Sequence, residues 1–420
     1  MEEKKSSHLT HLKQQLKLKE FQFNSIYEFS ESIYSAFEVE AIIRIYFSTL
    51  MGQLGIPRMF FYDSGHHLFH RRGFKTDESE EQLLGQNLLK LGSQWFVIKT
   101  QELSPEFSEL QAFLLEKKIF HLLNISEIED RAIVLGLGEK LNNKELTNEN
   151  IDYTFLVSKF SASAVENAIL INKMIENKRM EHEVKIARDI QLSLLPQSIP
   201  VLENFEIAVR YEPIHEVGGD YYDILEKRKN GELPLVIADV EGKGLSAALL
   251  AASSQAVFRT LNEIYFFDVN KFVAKANHLI YDFTRGNRFI TLFWMLLDDQ
   301  KRSIRYVNAG HIEPIFISGN RVRRLDKGGF LTGFVDSTVY DSETIQFQPG
   351  DMIAAFTDGV PEVENKAGEE FGTDAITEFL RQNKHLSAKE LVESFYDTIL
   401  EFSQKKKFRD DFTFILLKAR

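Results

Sequence analysis

The sequence of 420 residues contains no cysteine, two tryptophans and nine prolines. Without cysteine there can be no disulfide, thiolate zinc site, thiol nucleophile or covalently attached bilin. No apolar run approaches the ~20 residues that a membrane-spanning helix needs, the longest being Phe289 to Leu297. The first residues are charged and lack the apolar core of a signal peptide. We therefore expect a cytoplasmic protein that does not associate with a membrane.

Basic residues are outnumbered by acidic ones, 50 to 62, which gives a net charge of −12. Proteins that bind nucleic acid through its phosphates need a basic surface, so nucleic-acid binding, including that of a two-metal nuclease, is disfavoured. The hydrophobic fraction of 44% and the charged fraction of 27% are ordinary for a folded chain. At roughly 150 residues per domain, the length predicts two or three domains.

The N-terminal part mixes helical and strand patterns behind a polar leader, residues 1–20. Apolar residues recur at helical spacing between 21 and 54, and short strands are predicted at 57–63 and 131–137. Helical patches lie between the two strands. These features predict an α+β domain over residues 21–160.

A helical pattern without proline or glycine then runs from Asn148 to Leu195. It is far longer than the usual 8–20 or so residues of a globular helix. It can be interpreted as a closing helix that packs on its own domain, or as a dimerising coiled coil. Its length and its apolar repeats at spacings of four and three favour the coiled coil. We expect a helical linker over 161–199, ended by Pro196 and Pro200.

Beyond residue 200 the pattern changes to strands joined by hairpins, with helices between them. Turns are predicted at Asn230-Gly231 and Gly319-Asn320. One helical stretch, Thr373 to Gln404, precedes a last strand, Phe412 to Lys418. Many antiparallel strands with covering helices predict a β-sandwich flanked by helices.

Aspartates stand beside glycine or at strand ends throughout this region. They are Asp220, Asp239, Asp358 and Asp410, the last followed by Asp411. A buried carboxylate is costly unless it is paired or binds a metal. One such aspartate is more often a turn residue or a helix cap, but four in one domain favour a shared metal site. Oxygen ligands without thiolate or imidazole suit Mg²⁺ or Mn²⁺ rather than Zn²⁺.

The C-terminal half resembles the PPM-type metal-dependent serine/threonine phosphatases, in the bacterial SpoIIE-like branch that regulates sporulation and sigma factors. The matching segments are ARDIQLSLLPQSIP (187–200), VGGDYYDI (217–224), IADVEGKGLSAALLAA (237–252), YVNAGHIEPIF (306–316), QPGDMIAAFTDGVPEVEN (348–365), EEFG (369–372) and RDDFTFILLK (409–418). The resemblance implies an αββα sandwich over residues 200–420 with two divalent cations, Mn²⁺ or Mg²⁺.

The resemblance also implies a role for each matching residue. Asp220 would contact both metals. Asp239 and the carbonyl of Val240 would hold one metal, and Asp358 and Asp410 the other. The residues that would support the site are Gly219, Gly242, Gly244, Gly359, Asp411 and His311. Metal-activated water would attack phosphoserine or phosphothreonine in line. The implied substrate is a phosphorylated anti-sigma-factor antagonist.

Three positions either depart from the family pattern or have more than one possible role. Glu241 replaces the usual serine, where it could tune metal affinity, repel an acidic substrate or simply face solvent. Phe330-Leu-Thr-Gly333 replaces Pro-Leu-Gly in a segment expected to face the substrate. His311 could give a proton to the leaving group or could only satisfy a turn, and the structural role is favoured.

The N-terminal half resembles a GAF domain, through the opening helix pair, LGIPRMFFYDS (54–64) and RAIVLGLGEKLNNKELTNENIDYTFLVSKFSASAVENAIL (131–170). Such domains sense small molecules or only dimerise, so a homodimer through this domain and the linker helix is expected, with an unknown small-molecule ligand possible. His66, His67 and His70 could suggest metal or haem, but solvated loop histidines are favoured.

The sequence disfavours two further interpretations. A P-loop at Gly242-Lys243-Gly244 fails, because Ile237 stands where its first glycine is needed and Gly244 where Ser or Thr is needed. A ligand-binding protein whose C-terminal domain is only a scaffold would have lost its aspartates, and none is missing. The sequence therefore predicts an α+β phosphatase regulated by a GAF sensor.

Overall fold

The computed structural model describes residues 24–33, 35–92, 95–126, 131–227, 231–265, 268–404 and 408–420. The chain divides into two compact units, Met1–Lys178 and Arg179–Arg420. The predicted leader, residues 1–20, and Asn230 of the predicted hairpin turn lie outside the described residues.

The first unit is an antiparallel sheet between two layers of helices. Its strands are β1 (Met59–Asp63), β2 (Leu68–Arg72), β3 (Val97–Lys99), β4 (Ile119–Asn124) and β5 (Ile133–Gly138), in the order β2-β1-β5-β4-β3. Its helices are α1 (24–33), α2 (Val39–Leu54), α3 (Glu78–Lys90), α4 (Ser108–Glu116) and the first part of α5 (Asn148–Leu194).

Side chains that alternate between the two faces of the sheet divide the core of this unit into two parts. Met59 and Phe61 of β1 pack with α2 and α5, whereas Phe60 between them packs with α3 and α4. Successive strand residues point to opposite faces of a sheet, so one strand supplies both layers. The strands predicted at 57–63 and 131–137 are therefore confirmed as β1 and β5.

The predicted helix from Asn148 to Leu195 is confirmed as α5, which is 47 residues long. Its first part buries Tyr153, Val157 and Val165 in the core of the first unit, as a closing helix would. Further along, Met174 and Ile175 are each 61% exposed. Of the helices in the described residues, α5 alone is long and apolar enough to cross a membrane. One helix of this length and composition is weak evidence for a membrane span, because helices in the core of a folded protein have the same properties. In α5, 39% of the apolar window is buried inside the protein.

A buried ion pair joins the end of β1 to the segment before β5. Asp63 accepts two hydrogen bonds from Arg131, at 2.9 and 2.6 Å. Arg131 also contacts Glu166 of α5 at 2.7 Å, and His66 reaches the same carboxylate at 2.8 Å. His66 thus takes part in an ion-pair network that the sequence did not predict.

The second unit contains two sheets. One has the order β13-β10-β9-β8-β7, with β14 also paired to β10, and the other has the order β12-β11-β15-β16-β6. The strands are β6 (Phe205–Glu212), β7 (Tyr221–Ile224), β8 (Glu232–Val240), β9 (Ile290–Asp298), β10 (Ser303–Ala309), β11 (Ile315–Ser318), β12 (Arg321–Arg324), β13 (Gly328–Gly329), β14 (Glu343–Gln346), β15 (Met352–Phe356) and β16 (Phe412–Ala419). The helices are α6 (Leu245–Ile264), α7 (Val269–Thr284), α8 (Gly372–Gln382) and α9 (Ala388–Phe402).

Three apolar layers stack these elements into an αββα sandwich, as predicted. The middle layer lies between the sheets and includes Phe293 and Ile415. Trp294, the next residue of β9, instead packs with α6 and α7, where its ring stacks on Phe272 at 3.8 Å. Phe414 of β16 faces α8 and α9 on the other side.

The helical stretch predicted from Thr373 to Gln404 consists of two helices, α8 and α9, with a turn between them. The Ser387 side chain accepts a hydrogen bond from the amide of Glu390, and the Glu390 carboxylate accepts one from the amide of Ser387. This capping box marks the start of a separate helix within the predicted helical stretch.

We expect Arg131→Ala to destabilise the first unit by roughly 3–5 kcal/mol, because it leaves the buried Asp63 carboxylate unpaired. Hydrogen exchange at the β1 and β5 amides measures this opening free energy. Arg71→Ala is the control, since Arg71 and its partner Glu81 are each 32% exposed. If the β1 amides were equally protected from hydrogen exchange in Arg131→Ala and Arg71→Ala, the prediction would be contradicted.

Candidate active site

The predicted aspartates lie where paired strands of the second unit begin or end. Asp220 precedes β7, and Asp239 is the second-last residue of the neighbouring β8. Asp358 follows β15 by two residues, and Asp410 and Asp411 precede β16, which pairs with β15. The first pair belongs to one sheet and the others to the second sheet.

Threonines from the second sheet hold Asp220. Its Oδ2 accepts hydrogen bonds from the hydroxyls of Thr357, at 2.7 Å, and Thr413, at 2.5 Å. All three side chains are almost fully buried. The amide of Thr357 also donates to the carbonyl of Thr413 at 3.1 Å. The Asp220 carboxylate is therefore fixed across the gap between the sheets.

Asp411 fastens the loop that carries Asp220. Its Oδ2 accepts the amide of Gly219 at 2.6 Å, and its Oδ1 accepts the amide of Ile214 at 2.8 Å. Its own amide donates to Asp410 at 2.9 Å. Asp411 thus acts on backbone groups and positions its neighbours, which agrees with the supporting role expected for it.

Glycines allow the loops of the site to approach closely. A Cβ at Gly359 would lie 2.0 Å from the carbonyl oxygen of Asp411, closer than any real contact. A Cβ at Gly219 would meet the carbonyl oxygen of Val240 at 3.2 Å. Gly242 and Gly244 have φ of +100° and +71°, a region that favours glycine. The Gly-Lys-Gly turn and the Asp220 loop therefore depend on the absence of side chains.

Lys243 places a positive charge inside this group of acids. Its Nζ lies 2.6 Å from Asp410 Oδ2 and donates to the carbonyl of Arg409 at 3.1 Å. The contact with Asp410 raises the pKa of Lys243. The lysine of the rejected P-loop motif therefore pairs with a predicted metal ligand.

Burial and mutual repulsion disfavour the charged forms of the aspartates. The pKa of Asp239 is raised to about 7 by burial, then by Asp358 and Asp410. The pKa of Asp358 is raised by burial and by Asp410. That of Asp220 is raised well above its usual range by burial and by Asp239. These effects show that the four predicted ligands share one electrostatic environment.

The donor set fits a hard divalent cation, because it consists of carboxylate oxygens and a backbone carbonyl. A cation would also offset the repulsion that raises the pKa values. Within the described residues, however, no three carboxylate or imidazole groups converge as a closed metal site. Asp410 is held by Lys243, and Asp220 by two threonines. Binding would require these side chains to adjust.

His311 lies beside this cluster in a buried position. Its Nδ1 is 2.8 Å from the hydroxyl of Thr291, the residue that pairs with Asp239 between β8 and β9. Its amide donates to Asn308. Burial lowers the pKa of His311 to about 4, so the ring is neutral near pH 7. This favours the structural role for His311 over proton donation as an imidazolium.

Glu241 is half-buried and points toward the start of β9. Its carboxylate accepts the amide of Phe289 in a long contact of 3.4 Å, and its amide donates to the Phe289 carbonyl at 3.1 Å. The Glu241 side chain thus has one long contact with the backbone, and the three alternatives for its role remain predictions.

Several residues of the site were not found from the sequence. Thr357 and Thr413 are the hydroxyl donors to Asp220. The pKa of Glu362 is raised by burial and by Asp358, which places Glu362 beside the cluster. Gln191 of α5 donates to the carbonyl of Gly218 at 2.7 Å and accepts its amide at 3.1 Å. Each of these residues lies in one of the segments that resemble the phosphatase family. That resemblance is the sequence signal that could have identified them.

Residues 229–420 match the family described as Stage II sporulation protein E (SpoIIE). Phosphoserine phosphatase RsbU of Bacillus subtilis is 27% identical over 245 residues, which cover 58% of this chain and 72% of RsbU. Protein IcfG of Synechocystis sp. is 29% identical over 230 residues, or 48% of this chain and 36% of IcfG. The match to IcfG thus spans little more than a third of that protein.

The same fold occurs in the SiaA-PP2C domain of Pseudomonas aeruginosa. That structure has a TM-score of 0.51 and 20% sequence identity, covering 58% of this chain and 98% of the domain. The likeness supports the αββα architecture described above.

The raised pKa of Asp239 predicts how stability depends on pH without metal. An acid whose pKa is higher folded than unfolded stabilises the fold at low pH and loses this effect as pH rises through the folded pKa. For Asp239 the window is 3.8 to about 7. In EDTA, we expect Asp239→Asn to melt at a higher temperature than wild type at pH 8, with the gap closing toward pH 5.

Asp397→Asn, at an exposed position of α9, is the control and should show no such pH dependence. Differential scanning fluorimetry across this range makes the measurement. A stabilisation by Asp239→Asn that is equal at pH 5 and pH 8 would disprove the interpretation.

Proposed function

We propose that this chain is a metal-dependent protein phosphatase that hydrolyses phosphoserine or phosphothreonine on a signalling protein, a proposal supported by the match of residues 229–420 to the SpoIIE family. The observation that carries the proposal is the cluster of Asp220, Asp239, Asp358 and Asp410 in one electrostatic environment. A domain kept only as a scaffold has no need to hold like charges together against their repulsion.

In this proposal the aspartates hold two divalent cations, Mn²⁺ or Mg²⁺. Asp220 serves both, Asp239 and the Val240 carbonyl serve one, and Asp358 and Asp410 serve the other. When bound, such cations supply a hydroxide nucleophile near neutral pH and attract the phosphate oxygens. The protein contributes orientation, since Thr357 and Thr413 fix Asp220 while Asp411 fixes the adjoining loop.

The absence of cysteine agrees with a route that needs no thiol and forms no covalent enzyme intermediate. By similarity to RsbU, a phosphoserine phosphatase, phosphoserine is the favoured group. We propose a phosphorylated anti-sigma-factor antagonist as the substrate, which would place the enzyme in a partner-switching pathway that regulates a sigma factor.

Asp358→Asn should lower kcat by 100-fold or more at saturating Mn²⁺, because it removes a charged ligand on which the nucleophile depends. The assay is release of phosphate from a serine-phosphorylated antagonist protein, with and without EDTA. Asp397→Asn is the matched control and should keep wild-type turnover. Undiminished turnover by Asp358→Asn, or wild-type turnover that survives EDTA, would contradict the proposal.

We further propose that α5 regulates the site, because its end contacts the loop that carries Asp220 and also helix α6. Gln191 forms both of its amide hydrogen bonds with the backbone of Gly218, two residues before Asp220. Gln255 and Arg259 of α6 donate to the carbonyl of Leu194, in the last turn of α5. Helix α6 follows directly on the Gly-Lys-Gly turn. A displacement of α5 would therefore change the hydrogen bonds to the Asp220 loop and to α6.

The first unit is proposed to be the GAF-like sensor that acts on α5. A surface cavity of about 240 Å³ is lined by Lys99, His121 and Lys140 among others. Lys140 bonds to Asn150, in the first turn of α5. This cavity is a candidate site for the small-molecule ligand. Exposed apolar residues of α5, including Met174 and Ile175, suit a homodimer through the helix.

Removing residues 1–178 tests the regulatory proposal, since residues 179–420 form a compact unit. We expect turnover or its Mn²⁺ dependence to change several-fold, because α5 loses the domain that sets its position. Circular dichroism and an unchanged melting temperature of the second unit would control for misfolding. If a folded truncated chain has the kinetics and metal dependence of the full chain, the regulation is disproved.

A further inference from the structure

The loop after β13 presents large apolar side chains to solvent. Phe330 is 51% exposed, Phe334 52% and Val339 85%. Single exposed apolar residues are common, but a contiguous patch on a folded protein usually marks a binding surface. This segment contains Phe330-Leu-Thr-Gly333, where the chain departs from the family pattern.

These aromatic rings form one contiguous surface. The ring of Phe334 lies 6.0 Å from that of Phe330 and 6.4 Å from that of Phe289, the latter edge to face. We call Phe289, Phe330 and Phe334 the aromatic patch. Aromatic side chains supply much of the binding energy at protein interfaces.

Hydrogen bonds to the neighbouring elements fix the backbone of this loop. The buried side chain of Asn277 in α7 donates to the carbonyls of Val335 and Asp336, both at 2.8 Å, and accepts the amide of Gly333 at 2.8 Å. Thr332 and Ile290 exchange two backbone hydrogen bonds of 2.9 Å. The patch is thus held in place before any partner binds, which lowers the entropic cost of binding.

The aromatic patch adjoins the candidate active site. Phe289 exchanges backbone and side-chain hydrogen bonds with Glu241, which follows the Val240 carbonyl. A Cβ at Gly242 would lie 3.2 Å from Nη1 of Arg288. The guanidinium of Arg288, the residue before Phe289, therefore lies next to the Gly-Lys-Gly turn. Guanidinium groups bind phosphate well, so the surface around Arg288 suits a phosphorylated partner.

We propose that the aromatic patch docks the protein substrate, through apolar surface that flanks its phosphoserine. The inference rests on the proposed phosphatase function and adds what selects the substrate. The patch adjoins the metal-binding turn, so a partner seated on it can place its phosphate at the aspartates. Its occupant is a folded phosphoprotein, because such a partner brings both an apolar surface for the aromatic patch and a phosphate for the guanidinium of Arg288.

The test compares three substrates of the full chain with Mn²⁺: a serine-phosphorylated antagonist protein, a phosphoserine peptide copied from it, and p-nitrophenyl phosphate. We expect the double variant Phe330→Ser, Phe334→Ser to lower kcat/KM for the protein at least 10-fold. Its kcat/KM for the peptide and for p-nitrophenyl phosphate should stay within twofold. Both side chains are half exposed, so the fold should survive, which the melting temperature checks.

The control variant is Val201→Ser. Val201 is 94% exposed and precedes β6, whose far end lies beside Asp411 through the β6–β16 pairing. Its kinetics should match the wild type for all three substrates. Sedimentation velocity of the wild type and the double variant shows whether the patch instead binds a second copy of the chain.

Three results would overturn the inference while leaving the phosphatase intact. They are equal wild-type kcat/KM for protein and peptide, equal losses of the double variant on all three substrates, and a wild-type dimer that the double variant dissociates. A wild type that hydrolyses none of the substrates with Mn²⁺ would instead refute the proposed function itself.

Discussion

Repulsion between carboxylates at one edge of the sandwich is the constraint on which the second unit depends. Carboxylates in a shared, poorly solvated site resist ionising together. The fold holds them by hydrogen bonds from two threonines to Asp220 and from backbone amides to Asp411. Both sheets contribute, so the packing of one sheet on the other is also what assembles the site. Stability and chemistry are therefore set by the same contacts.

Much of this architecture follows from the sequence because its signals are local. Alternating apolar residues gave the strands, and an uninterrupted helical pattern gave α5. The split into α8 and α9 was missed because Asn383 and Ser387 are ordinary surface residues until capping geometry gives them a role. Glycine beside aspartate marked the predicted ligands, since close backbone approach at Gly359 excludes any side chain.

Contacts between distant parts of the chain were beyond such reasoning. Thr413 meets Asp220 across 193 positions of sequence, and no single-sequence pattern reports that distance. The pairing of Lys243 with Asp410 is hidden for the same reason, because a lysine between glycines first suggests a phosphate-binding loop. In the first unit, His66 was assigned to solvent until the fold placed Glu166 beside it. Electrostatic contacts between residues that are distant in the sequence can thus be identified only from the folded structure.

The paired hydrogen bonds of Gln191 have a consequence for how the end of α5 is attached to the loop that carries Asp220. Both hydrogen bonds of the Gln191 amide go to the backbone of one residue, Gly218, so losing the position of this side chain would remove both bonds. The end of α5 and the loop that leads to Asp220 are therefore joined by one contact of two hydrogen bonds on a single residue, rather than by separate attachments.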